Sequence, residues 1–265
     1  MTVSWAAFRR ARRRSRQAWA ALAVLLVSLV GGIGWFFTAG QFAVGEPQTN
    51  GPSEAPVLDR TWMKPVVAVQ PVPVGTAVSA LDSLPVKGRA AKDNYDRSDF
   101  GQAWLDVDHN GCDTRNDILR RDLTGTAFSE GSRCKVASGQ IHEPYTGAMV
   151  SFRRGAESSK EVQIDHVVAL GDAWQKGAQQ LTAQQRQSLA NDPLNLIAAD
   201  GPANQEKGAG DAATWLPANK AFRCHYVSRQ ISVKAAYRLW VTQAEKDAMK
   251  RVLDSCPGQQ TIIPR

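Results

Sequence analysis

What this 265-residue chain lacks narrows the reading first. Its four cysteines, Cys112, Cys134, Cys224 and Cys256, include no C-x-x-C pair, so a structural zinc site has no spacing to support it. No internal repeat is visible, and no zinc finger or helix-turn-helix is present to read base sequence. Paired catalytic carboxylates at a recognisable site, which a cell-wall glycosidase would need, are missing as well. Basic charge is scarcer than the formal net charge of +7 implies. Six of those positive charges are Arg9, Arg10, Arg12, Arg13, Arg14 and Arg16, and everything after Arg16 carries only +1. Global charge is therefore no argument for a nucleic-acid partner, and any such argument has to be local.

The chain is 43% hydrophobic and 22% charged, enough apolar residue to build a core. The arginine cluster precedes an uncharged apolar run over residues 18–37, the pattern of a targeting segment rather than of the fold. Roughly 20 apolar residues suffice to span a bilayer, which favours a retained transmembrane anchor with a cytoplasmic N-terminus over a cleaved signal peptide. Either way the rest is exported, as a domain on the outer side of the cell membrane or as a secreted one. Residues 1–40 thus form the targeting segment and residues 41–80, rich in Pro and Gly, a linker. Residues 81–265 form one domain. In an exported domain an even number of cysteines points to disulfides, and local closure favours Cys112 with Cys134 and Cys224 with Cys256.

The domain reads as α+β with short strands. Asp113 caps a helix running to about Leu123, and residues 133–137 and 148–152 read as strands around the turn-rich Glu143-Pro-Tyr-Thr-Gly147. Val162–His166 reads as a strand ending on polar residues. Helices over 167–177 and 182–190 follow, then an apolar strand over 194–199 and a short helix carrying Asn204 and Lys207. Helices over 219–240 and 242–254 close the chain, Thr242 and Glu245 forming a capping box.

Chemistry concentrates at Asp165-His166, where two adjacent side chains leave a strand end in different directions. Histidine titrates nearest neutral pH and suits the work of a general base, while a carboxylate and a side-chain amide oxygen suit Mg2+ or Mn2+. Asp-His pairs are common, and a buried hydrogen-bonded pair is the bland reading. Three blocks in order give this one company: Ile164-Asp-His-Val-Val-Ala-Leu170, Asn191-Asp-Pro-Leu-Asn-Leu196 and Gly201-Pro-Ala-Asn-Gln-Glu-Lys-Gly208.

Over about residues 95–256 these blocks resemble the HNH-type endonucleases of the GmrSD-like subgroup, in particular exported actinobacterial members. The resemblance implies a ββα-metal (His-Me finger) motif embedded in a mostly helical, disulfide-bonded domain, and a metal-dependent hydrolase of DNA, with RNA as a second candidate. By position it implies Asp165 and Asn204 as metal ligands, His166 as general base, and Asn195 as the residue that orients the base. No second histidine lies near Asn204, so one weakly held Mg2+ or Mn2+ is expected rather than zinc.

Lys207 follows Asn204 by three residues and shares its side of the helix, either to meet a phosphate oxygen or as a solvated lysine. Residues 217–240 carry Lys220, Arg223, Arg229, Lys234 and Arg238 with no acid, interleaved with aromatics. That is either a face tracking a phosphate backbone, with Lys220 and Arg223 as substrate contacts, or an amphipathic helix with solvated cations. In Asp106-Val-Asp-His-Asn-Gly-Cys-Asp-Thr-Arg-Asn-Asp117, oxygen donors recur with the spacing of a calcium loop, at Asp106, Asp108, Asn110, Thr114 and Asp117. A cysteine at position 7 and an Asp at position 12 argue against calcium. The family resemblance implies instead a structural turn of the nuclease domain, from which Arg115 reaches substrate phosphate. The competing reading of the whole chain is a non-catalytic, calcium-stabilised cell-surface module. No obligate protein partner is implied.

Overall fold

The computed structural model describes residues 68–155 and 160–263; the arginine cluster, the apolar run over 18–37 and most of the linker lie outside them. Among the described residues no helix is long and apolar enough to cross a membrane. In chain order the elements are α1 (Ala77–Ser83), a 3-10 turn (Arg97–Phe100), α2 (Thr114–Asp122), β1 (Thr124–Phe128), β2 (Val136–His142), β3 (Met149–Arg153) and β4 (Val162–His166). Then come α3 (Leu170–Gln175), α4 (Ala183–Asn191), β5 (Leu196–Asp200), α5 (Gly201–Lys207), α6 (Arg223–Ala236) and α7 (Gln243–Leu253). The fold is α+β, as expected.

Two separate sheets form: β1-β2-β3, antiparallel throughout, and the pair β4-β5. In the second, Val162 faces Asp200 and His166 faces Leu196, an antiparallel register with α3 and α4 inserted between the strands. The pair is covered on both sides. Val162, Ile164, Leu196 and Ala198 join Ile118 and Leu119 of α2 and Val136, Ile141 and Phe152 of the larger sheet in one apolar cluster. Ile197 and Ala199, on the opposite face, join Tyr145, Ala203, Tyr226 and Ile231 in another. Covering both faces explains why Leu196-Ile-Ala-Ala reads as a continuous apolar run rather than an alternation. Each large aliphatic side chain buried there contributes about 1.5–3 kcal/mol, which pins the register.

The junction from β5 to α5 is equally constrained. Asp200 caps the helix by accepting from Ala203 N at 2.8 Å, and Gly201 N donates to Glu161 O at 2.9 Å. A Cβ on Gly201 would lie 2.0 Å from Lys160 O, so only glycine lets the chain turn into the helix against that backbone. The helix thereby runs directly over β4.

β1, Thr-Gly-Thr-Ala-Phe, carries too few apolar residues to be read as a strand from sequence, and its pairing with β2 is irregular. Ordered packing also begins upstream of residue 81: Ala77, Ala80 and Leu81 of α1 are buried among α6 and α7. The expected helix over 219–240 is a 3-10 turn (Lys220–Phe222) leading into α6.

A buried network of charges ties α3, α6 and α7 together. Lys176 lies 2.7 Å from Asp172, 2.7 Å from Asp211 and 2.6 Å from Glu245, while Lys234 lies 3.0 Å from Glu245. Burial alone would depress the pKa of Lys234, but Glu245 and Asp172 beside it raise it.

Both disulfides take the local pairing, Cys112–Cys134 and Cys224–Cys256, closing 22 and 32 residues of sequence. Loops of that length restrict the unfolded chain by about 3–4 kcal/mol each. Replacing Cys224 and Cys256 by Ser should therefore lower the urea-extrapolated stability by roughly that amount. An unchanged midpoint would mean that the tether constrains nothing in the unfolded state.

Candidate active site

The turn before β3 supplies the first wall of the site. The Glu143 carboxylate, fully buried, accepts from Tyr145 N at 2.8 Å, Thr146 N at 2.7 Å and the Thr146 hydroxyl at 2.8 Å. That self-capped turn drives Tyr145 inward, edge-on to Trp215 at 5.0 Å and to Tyr226 at 5.7 Å. Its hydroxyl donates to Asp165 Oδ2 at 2.5 Å. Burial, and then the Asp165 carboxylate, raise the pKa of the Tyr145 phenol far above its usual value, so it remains a donor.

Lys207 supplies the second wall. Its Nζ lies 3.0 Å from Asp165 Oδ1 and 2.9 Å from Oδ2, and donates to His166 O at 2.8 Å. Only 2% of Lys207 is exposed, so it is neither solvated nor on an open phosphate-facing surface. It is the counter-ion of Asp165. One turn earlier on α5, Asn204 Nδ2 donates to Gln163 Oε1 at 2.9 Å. Gln163 and Asp165 share the α5-facing side of β4, so Asp165, Gln163, Asn204 and Lys207 meet along one strand–helix seam.

His166 leaves the strand on the other face and meets the end of α4. Its Nε2 lies 2.8 Å from Ala190 O, one of the carbonyls a helix C-terminus leaves without an intrahelical partner. A carbonyl only accepts, so Nε2 carries the proton and Nδ1 the lone pair. Burial lowers the imidazole pKa to about 3; the Ala190 bond opposes this, while Arg97 and Lys207 add to it.

Asn195, fully buried, completes the arrangement. Its Nδ2 donates to Leu189 O at 3.2 Å and to Val168 O at 3.3 Å, and its Oδ1 accepts from Val168 N at 2.8 Å. It clamps the residues just after His166 to the carbonyl preceding that of Ala190.

Two further arginines hold the segment before β5. Arg229 donates to the carbonyls of Pro193, Leu194 and Leu196, and Arg121 to those of Pro193 and Leu196. The cationic face expected over residues 217–240 is accordingly not formed as drawn, because Arg229 and Lys234 point inward to partners elsewhere in the chain. Lys220 is exposed, and Arg223 is half-buried with its Nε on Pro217 O at 2.7 Å. Arg115 is partly buried with its guanidinium 5.9 Å from the Trp104 ring, and burial lowers its pKa.

The loop Asp106–Asp117 closes on itself. Asp106 accepts from Asn110 N and Gly111 N, and Asp108 accepts from the backbone and side-chain amides of Asn110. Asp117, buried beneath it, has its pKa raised to about 6 by desolvation first and by Asp108, Asp106 and Asp113 next, against a hydrogen bond from Asn110.

These two shifts oppose each other in a defined pH window. Below pH 6.5 the unfolded chain protonates its histidine while native His166 does not until about pH 3, so acidification costs stability. Native Asp117 takes its proton near pH 6 but the unfolded chain only near 3.8, so acidification through that interval restores stability. Asp117→Asn should therefore lose more stability than the wild type on acidification from pH 6 to 3.8. Urea melts across that window check this, and parallel profiles for the two proteins would refute it.

Among the described residues no group of three or more His, Cys, Asp and Glu side chains is arranged to hold a metal ion. Both Asp165 oxygens already meet Lys207, and Tyr145 donates to one of them. A divalent cation at the seam would have to displace Lys207 from this one anionic ligand before the amide oxygens of Asn204 and Gln163, whose side chains now bond to each other, could join it. That is a hard, all-oxygen donor set, suited to Mg2+ or Mn2+ held weakly and to neither zinc nor a preformed cage. Sequence reasoning missed Tyr145, Gln163 and Arg97. Tyr145 sits inside a segment legible only as a turn, and no local pattern marks Arg97.

The comparisons with known proteins bear on the same residues. An uncharacterized secreted protein of Arthroderma benhamiae is 39% identical over 183 residues, which cover 68% of this chain and 85% of that protein. No solved structure matches the chain. The profile of the family described as "GmrSD restriction endonucleases, C-terminal domain" matches residues 113–252, an interval that includes α2, both sheets and the whole Asp165 seam. The chain belongs to that family, whose name carries a nuclease-like function.

Proposed function

We propose that this chain is an exported, divalent-metal-dependent endonuclease of the HNH type, hydrolysing phosphodiester bonds of DNA, and of RNA as a second substrate class, with little sequence selectivity. The observation that carries the reading is the β4-β5-α5 unit. In it Asp165 and Asn204 line one seam while the adjacent His166 holds a fixed neutral tautomer. Family membership supports the nuclease class, and the secreted description of the fungal relative supports export, whether the 18–37 segment is retained as an anchor or removed.

In this reading His166 Nδ1 takes a proton from the attacking water. A pKa near 3 leaves the imidazole unprotonated at every working pH but makes it a weak acceptor. An anionic phosphate brought beside it acts against Arg97 and Lys207 and raises its proton affinity toward the useful range. Asn195 keeps the base in place through Leu189 and Val168. Tyr145, and Lys207 until a metal displaces it, fix the Asp165 carboxylate in one orientation. Asp165 and Asn204 would hold Mg2+ or Mn2+, which would supply charge stabilisation at the scissile phosphate and the leaving oxygen.

The test is metal dependence. Oxidised protein stripped with EDTA should be inactive on plasmid, regain cutting with Mg2+ or Mn2+, and fail to regain it as Asp165→Asn. Undiminished cutting in EDTA would remove the metal from the reading. The competing calcium-stabilised module requires no turnover under any metal, together with loss of stability on chelation.

A further inference from the structure

Phe128, at the end of β1, is a large hydrophobic side chain left 37% exposed. It forms one wall of a cleft of about 420 Å³ lined also by Asn110, Cys112, Arg120 and Arg133. The two cations are held in place. The Arg120 guanidinium sits 5.9 Å from the Phe128 ring centre, and Arg133 Nη2 donates to Asn110 O at 3.5 Å. Gly111, at φ +87°, leaves the space that Arg133 fills, since a Cβ there would come within 2.8 Å of Nη2. The carboxylates of Asp106 and Asp108 accept hydrogen bonds from the amides of their own loop. Of the residues lining the cleft, Arg120 and Arg133 are both exposed, and Asp106, partly exposed, lies behind Asn110 and Gly111.

An exposed aromatic with a guanidinium over its ring, beside a second guanidinium, has the chemistry to take a flat base and the phosphate attached to it. We propose that this cleft is a subsite for one unstacked nucleotide of a single-stranded nucleic acid, the base against Phe128 and Arg120 and a flanking phosphate at Arg133. A duplex cannot use it in the same way, because its bases are already stacked and paired. The inference rests on the nuclease reading and extends it to the form of the substrate. Helix α2 carries Arg120 on its outer side and packs Ile118 and Leu119 against β4 and β5, so this guanidinium is carried by a helix seated on the strands of the Asp165 seam.

Fluorescence anisotropy of a labelled oligo-dT and of a same-length duplex, with the full oxidised chain in EDTA, reads binding without cleavage. Phe128→Ala should weaken oligo-dT binding about tenfold, since stacking of a base on an aromatic is worth about 1–3 kcal/mol, and leave duplex binding within about twofold. Arg133→Gln should reduce the slope of log affinity against log salt by about 0.7 on the single strand, whereas Arg120→Gln should weaken oligo-dT binding with the slope nearly unchanged. Wild-type affinity and salt slope in all three variants, or equal losses on duplex and single strand, would overturn the subsite. Failure of the subsite leaves plasmid cutting untouched, and a chain that binds oligo-dT through Phe128 but cuts nothing would keep the subsite and lose the nuclease.

Discussion

Lys207→Met should destabilise the domain by about 3–5 kcal/mol, one of the largest single-residue effects expected in this protein. The reason is asymmetric. With the ammonium gone, Asp165, 6% exposed, retains only the Tyr145 hydroxyl to offset the cost of burying its charge, and His166 O loses its donor. Removing the charge at the same time removes most of that cost. Asp165→Asn with Lys207→Met should therefore be less destabilised than Lys207→Met alone, by an amount that measures the coupling. Urea denaturation of the three variants decides it. Additive losses would mean that Lys207 is held by packing of its methylenes and that its ion pair with Asp165 contributes nothing.

His166→Gln should lower turnover by about 100-fold to 10,000-fold, the usual contribution of a positioned general base, while the fold persists. Glutamine is chosen because its amide N–H can still donate to Ala190 O, preserving the cap on α4 and removing only the titrating nitrogen. His166→Ala removes both, and should lose the same turnover plus about 1–3 kcal/mol of stability from the carbonyl left without a donor. A purely structural histidine gives the opposite pattern, in which the glutamine variant keeps wild-type turnover and only the alanine variant suffers. The pH profile separates the roles again. With the His166 pKa near 3, kcat/KM should show no acidic limb near pH 6.5 belonging to this group in the free enzyme.

Much of this site is legible in the sequence because it is local. Val162-Gln-Ile-Asp-His166 alternates, ends on polar residues and forms the strand it spells, and Asp200-Gly-Pro carries its own cap and turn into α5. The disulfide pairing follows from short loops for the same reason. What sequence could not give is whether a given side of an element is covered. The three-residue spacing puts Lys207 on the side of Asn204, but only the fold reveals that Tyr145, 62 positions before it in the chain, closes that side over Asp165. Arg229 and Lys234 looked like a cationic face because residues 217–240 contain no acid. Their partners, the carbonyls of 193–196 and the carboxylates of Asp172 and Glu245, lie outside that window. β1 stayed hidden because its pairing is decided by β2 and not by its own composition.

The most direct test of the Asp165–His166 seam as a phosphodiesterase centre is degradation of plasmid and single-stranded DNA by the oxidised chain in Mg2+ or Mn2+, with His166→Gln alongside. Metal-dependent cutting by the wild type that is lost in the folded glutamine variant is the expected result. No cutting by a demonstrably folded wild type under any metal, or equal cutting by both proteins, would contradict it.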